Sequence, residues 1–188
     1  TSAAAVIAHI DDDEWQRPTP CDEWSVRDIV NKLTASTIMW TAFGRRNEPD
    51  PSLDLVEPRE ILGDDPLGTY LDAAAECRQV WRTPGAMDGV ARSTVGEFPA
   101  KAVINGRIFD TTILTWDVAR AIGVPHHLGD DLAAYVLFVA ERLVPNVRSV
   151  SPERYKDAVR AEGRSVVERM VAATGRDPAW AAPEVATS

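Results

Sequence analysis

Cysteine and histidine are scarce in this chain, with two and three respectively among 188 residues. Cys21 and Cys77 lie far apart and cannot supply the dense disulfide framework of a small secreted domain. A chain of this length has core enough without one. Neither cysteine has a His–Asx neighbourhood readable from the sequence, so each reads as a small buried residue rather than a nucleophile. Long apolar runs are also missing: no uninterrupted stretch reaches the roughly 18 residues that span a bilayer. The N-terminal "TSAAAVIAHIDDDEW" has too short an apolar run and no basic flank to read as a signal peptide. Positive charge is in deficit, with 20 Lys and Arg against 29 Asp and Glu and a net charge of −9. Such a field repels phosphate backbones and anionic lipid, so nucleic acid and membrane surfaces are not expected partners, and solubility is its plain meaning. No Walker A, GxGxxG, GxSxG or HExxH pattern occurs, which removes the commonest enzyme signatures. A cytoplasmic location is the expectation.

What the chain does have is helical periodicity. "AAAVIAHIDDDEW" predicts a helix with Val6, Ile7 and Ile10 on one side, broken by "RPTP". Ser25 and Asp28 resemble a capping pair ahead of Val26, Ile29, Val30, Leu33, Thr37 and Trp40, which fall at helical spacing up to Gly44. The Pro- and Asp-rich residues 47–64 read as a loop. Asp65 as cap and Pro66 at the first helical position start a third helix, with Leu67, Leu71, Ala74, Ala75, Arg78 and Val80 or Trp81 as its expected buried stripe. Val, Thr and Gly breakers in "GVARSTVGEFPAKAVIN" suit a short strand or extended loop. A helix then runs from about 100 to 122, with Gly123 as its stop and Pro125 beyond. Another runs from Asp130 or Asp131 to Pro145, an irregular stretch follows, and a short helix capped by Ser165 precedes the tail. With no repeat or low-complexity tract, this pattern points to an antiparallel helical bundle.

The chemistry-bearing residues are few. His126 and His127 lie with Asp130 and Asp131, but no third ligand has a recognisable spacing, so this cluster reads as a solvated loop and helix cap. His9 stands alone on a helix. On the helix near 106–122, Asp110, Leu114 and Asp117 stack at i, i+4 and i+7, beside Ile113 and Trp116. Lys32 sits at the margin of its own helix's apolar stripe, flanked by Ile29, Leu33 and Ser36. If these helices are antiparallel neighbours, an ammonium and a carboxylate meet inside the bundle. Such a pair is costly to desolvate without good geometry, and it can tune its own proton affinities.

The segments "RPTPCDEWSVRDIVNKL" and "GRIFDTTILTWDVARAIGVP", with the closing "TGRDPAW", resemble the DinB-like, mycothiol-dependent maleylpyruvate isomerase family of actinobacteria. The similarity extends from about residue 5 to 180 in motif order and spacing. The resemblance implies an all-α, up-down-down-up four-helix bundle with short extra helices, forming one domain over 1–180 with a tail at 181–188. It also implies one divalent metal, commonly zinc or nickel, and thiol-dependent isomerases or transferases as relatives. One family ligand is a His in a "VNHL"-type motif, a place held here by Lys32. The other two places fall on Asp110, which retains a donor, and Leu114, which has none. The resemblance therefore leads to an expectation of no metal. Lys32 is expected to pair with Asp110 at the former metal centre, as a structural pair or as the heart of a metal-free pocket lined by Ser36, Trp40, Leu114, Thr115 and Trp116. The expected function is acid/base-assisted isomerisation, cyclisation or elimination of a small, fairly apolar metabolite in actinobacterial secondary metabolism, with Lys32 and Asp110 catalytic. Mycothiol as cofactor, a non-catalytic binding role and a homodimer remain open alternatives.

Overall fold

The computed structural model describes residues 1–22, 24–53, 59–93 and 96–183, the side chains of residues 150 and 153 excepted. Local signals set most of the helix ends. Thr1 caps α1 (Ser2–Ile7), which stops at Ala8, so of the expected apolar side only Val6 and Ile7 are buried. Helix α2 spans Val26–Gly44. Asp65 accepts from Gly68 N at 2.9 Å, with Pro66 at the first position of α3 (Pro66–Arg82). A two-stranded antiparallel sheet follows, β1 (Val90–Ser93) on β2 (Gly96–Pro99), with Ala91 opposite Phe98. Helix α4 covers Ala100–Ile122 and ends at Gly123, whose φ of 75° suits glycine. Helices α5 (Asp130–Val150) and α6 (Val166–Ala172) complete the set, α6 opening on a reciprocal capping box between Ser165 and Glu168. Among the described residues the protein is thus all-α with one short strand pair, in agreement with a DinB-like fold class. None of these helices is long and apolar enough to cross a membrane.

Besides the first helix, which was expected to run on toward Trp15 and ends at Ile7, two expectations need correction. Helix α5 does not stop at Pro145 but runs through it to Val150. Pro145 lies on the exposed side, where water can take up the carbonyl that its missing N–H leaves unpaired. Val144 and Val147 meanwhile stay buried and hold the helix on course. The buried stripe of α3 is also rotated: Tyr70, Ala73, Ala74, Cys77 and Trp81 face inward, whereas Leu71 is 41% exposed.

The chain divides into two compact units, residues 27–114 and residues 1–26 with 115–188. In the first, Met39, Trp40 and Phe43 of α2 share a core with Cys77 and Trp81 of α3, Ala91 of β1, and Ala100 and Val103 of α4. The Trp81 indole N–H donates to Trp40 O at 2.9 Å, tying α3 to the end of α2. Buried threonines in α2 are satisfied locally, Thr34, Thr37 and Thr41 each donating to the carbonyl four residues back. In the second unit α5 packs against α6, and Val159 N bonds to Ala172 O at 2.9 Å.

An acidic staple fastens the segment after the long loop. Arg27 forks onto Glu60 at 2.7 and 2.9 Å, Asn31 donates to the same carboxylate at 3.1 Å, and Leu62 N donates at 2.8 Å. Residues 54–58 of the expected loop lie outside the described residues. The Arg27 hydrogen bond outweighs partial burial and, with Asn31, pulls the Glu60 carboxyl down to about 2 from 4.5. A carboxyl lowered on folding contributes stability above its unfolded value and loses it as pH falls toward the folded one. Glu60→Gln should therefore cost about 1 kcal/mol at neutral pH, a figure reduced because the side chain is half exposed. That difference should fade between pH 4.5 and about 2. Urea melts of both proteins across this range check it; a difference independent of pH would remove the carboxylate as the cause.

Candidate functional site

Helix α2 carries Lys32, Ser36 and Trp40 at i, i+4 and i+8, so a helix of 3.6 residues per turn presents them along one stripe. Helix α4 carries Gly106, Asp110 and Leu114 in the same way. The two stripes meet at Trp40. A Cβ added to Gly106 would lie 2.6 Å from Trp40 Cη2, so only glycine lets the α4 backbone approach the indole this closely. From that contact Ser36 and Asp110 are one turn away along their helices, and Lys32 and Leu114 two turns.

Lys32 and Asp110 are each half-buried. Leu114, Ser36 and Trp40 are buried, and the Ser36 hydroxyl donates to Leu33 O at 3.1 Å. Thr115 and Trp116 are buried in the other compact unit, where the Arg120 guanidinium lies 5.8 Å from the Trp116 ring centre.

The donor set does not fit a divalent metal. A charged ammonium at Lys32 has no lone pair and Leu114 has no donor atom, which leaves Asp110 alone, whereas first-row ions take about four ligands. Among the described residues no three His, Cys, Asp or Glu side chains are grouped to hold one. His126 Nδ1 instead accepts from Leu128 N at 3.0 Å, closing its own turn, and burial holds its ring below the usual histidine range.

The line from Asp110 to Asp117 has a different outcome at its far end. Asp117 is fully buried and takes a two-pronged contact from Arg176, Nε to Oδ1 and Nη2 to Oδ2, both at 2.7 Å. Arg176 Nη1 also bonds to Thr174 Oγ1 at 3.1 Å. Gly175, at φ 84°, turns the chain there against the backbone of Lys156, where a Cβ would come within 2.8 Å of its carbonyl oxygen. Burial works against the guanidinium charge, but the Asp117 carboxylate outweighs it and holds Arg176 well above its ordinary value. This pair escaped the sequence reading, because its members stand 59 residues apart. "TGR" after a capped helix was the one local signal.

Three buried donors have no acceptor among the described residues: Trp40 Nε1, Arg107 Nε and Arg120 Nε. Trp40 and Arg107 belong to the unit that carries Lys32 and Asp110. Sequence reasoning picked out Trp40 as an apolar wall and missed Arg107.

Residues 1–119 match the family described as mycothiol maleylpyruvate isomerase N-terminal domain. Two uncharacterized proteins of Mycobacterium tuberculosis are similar to the chain, Rv0738 of strain H37Rv and MT0763 of strain CDC 1551. Each is 28% identical over 141 residues, covering 75% of this chain and 72% of the relative. No solved structure matches. With that match over more than half its length, and with the helical fold that carries it, the chain belongs to the mycothiol maleylpyruvate isomerase N-terminal domain family.

Proposed function

We propose that this protein is a metal-independent, DinB-like enzyme that isomerises, cyclises or eliminates from a small, fairly apolar metabolite by acid/base chemistry. The observation that carries the reading is the exchange at the family's three ligand places, with Lys32 and Leu114 standing where histidines are expected and Asp110 keeping its carboxylate. Were α2 and α4 antiparallel neighbours, as the sequence leads one to expect, the Trp40–Gly106 contact would put Ser36 level with Asp110 and Lys32 level with Leu114. In this reading the Asp110 carboxylate accepts a proton from the substrate and the Lys32 ammonium delivers one at a second atom; the proton then passes from the Asp110 carboxyl back to the Lys32 amine through water, which resets both groups. Trp40 and Leu114 supply apolar walls that raise the strength of both charges on the substrate. The fold alone does not select a reaction, and the residues above are what support this one.

The family description favours a second reading, a mycothiol-dependent transferase or isomerase. Incubating purified protein with a metabolite extract, with and without mycothiol, and following substrate loss by mass spectrometry separates the two. Turnover without thiol that disappears in Lys32→Met and in Asp110→Asn supports acid/base catalysis. Turnover retained in both variants sinks it, and activity strictly dependent on added mycothiol restores the family chemistry.

A further inference from the structure

Helix α5 carries a pattern on each of its two sides. Ala133, Val136, Ala140, Val144 and Val147 are buried, as the core side of an amphipathic helix should be. On the opposite side Asp131, Tyr135, Phe138, Arg142 and Pro145 are all exposed, Tyr135 by 42% and Phe138 by 53%. Their spacing alternates between four and three residues, the repeat of a seam between two packed helices. One exposed aromatic residue is ordinary, but here two sit together on a seam, with an acid on one side and a base on the other. The Arg142 guanidinium lies 3.6 Å from the centre of the Phe138 ring and donates from Nη1 to Phe138 O at 2.9 Å, which holds its charge on this stripe. Neither Asp131 nor Arg142 forms an ion pair among the described residues.

We infer that this face of α5 pairs with the same face of a second copy of the chain, the two helices running antiparallel across a two-fold axis between Tyr135 and Phe138. The order of charges selects both the occupant and the direction. With the axis there, Tyr135 meets the partner's Phe138. Asp131, four residues before Tyr135, meets the partner's Arg142, four residues after Phe138. The two-fold repeats each contact, so one stripe yields two ion pairs and two aromatic contacts. A parallel pair would instead set acid on acid and base on base. The net charge of −9 on each chain opposes association at long range. Physiological salt screens that repulsion beyond about 8 Å, whereas the charges on the seam are in contact. Faces of about three turns bury less than a standard interface, so a dissociation constant on the order of 10 µM is expected. Lys32 and Asp110 lie in the other compact unit, and the pairing does not depend on what they do.

Sedimentation velocity of the full chain at physiological salt, from about 1 µM to about 500 µM, should show a reversible monomer–dimer equilibrium. Asp131→Arg and Arg142→Asp change exposed positions away from the buried side of α5. Each should weaken the dimer about tenfold or more, because each sets like charges together at two places. An equimolar mixture of the two variants should dimerise again, since each chain supplies the charge that the other lacks. A chain carrying both changes should also recover, because the swap restores opposite charges across the axis. Wild-type protein that stays monomeric at the highest concentration overturns the inference and leaves the face to another partner. A dimer that keeps its affinity in both single variants overturns it too, as does a mixture of the two that stays monomeric.

Discussion

Asp117→Asn should remove about 3–5 kcal/mol of folding stability, the usual result of leaving one charge of a buried pair uncompensated. Asp117 is wholly buried, and the Arg176 side chain that forks onto it is only 12% exposed. The amide that replaces the carboxylate can accept from one prong of the guanidinium, but its NH2 faces the other prong donor to donor. The charge left behind stays in place, since Gly175 and the bond to Thr174 fix where Arg176 emerges from the end of α6. Urea denaturation with an unchanged slope and a lower midpoint is the expected record. The paired change Asp117→Leu with Arg176→Met should recover most of the loss, because it removes both buried charges together. A single variant within about 0.5 kcal/mol of wild type would mean that the pair is solvated in practice.

Lys32→Met and Asp110→Asn should each lower turnover of the cognate substrate by about 10²- to 10⁴-fold, the range that one positioned acid or base supplies. The fall should lie in kcat more than in KM, since proton transfer contributes to the transition state and not to ground-state binding. The double variant should be little worse than either single one, because donor and acceptor act as one unit. A structural pair behaves differently. Each single change would then lower the midpoint of unfolding, and kcat of the folded fraction would stay near wild type. Stopped assays at temperatures well below both midpoints separate these outcomes.

The candidate site was legible only as far as residue type and spacing carry. Lys32, Asp110 and Leu114 stood out because each occupies a place for which the resembling family specifies a ligand, and Trp40 because it lies on the apolar stripe at whose margin Lys32 sits. Arg107 gave no such signal. Its Nε is found to be buried without an acceptor only in the folded chain, because no spacing within α4 records which groups surround it. Thr115 and Trp116, expected as lining residues, fall in the other compact unit.

The sequence by itself determined where most helices begin and end. Asp65 with Pro66, Ser165 with Glu168, and Gly123 all act through bonds or turns closed within a few residues, so the nearby chain holds the whole interaction. The helical class followed from local periodicity, whereas residues 89–105 read only as a short strand or extended loop, and the pairing of β1 with β2 came with the structure. Tertiary structure alone decided which face of α3 is buried. Apolar side chains lie on both sides of that helix, and the choice of Cys77 and Trp81 over Leu67 and Leu71 came from the neighbours offered by α2, β1 and α4. It also carried α5 through Pro145, because burial of Val144 and Val147 offsets one lost backbone bond. Finally, it brought Arg176 to Asp117 and set Gly106 under Trp40. Packing brings distant residues together only once the chain has folded, so no nearby stretch of sequence could record either contact.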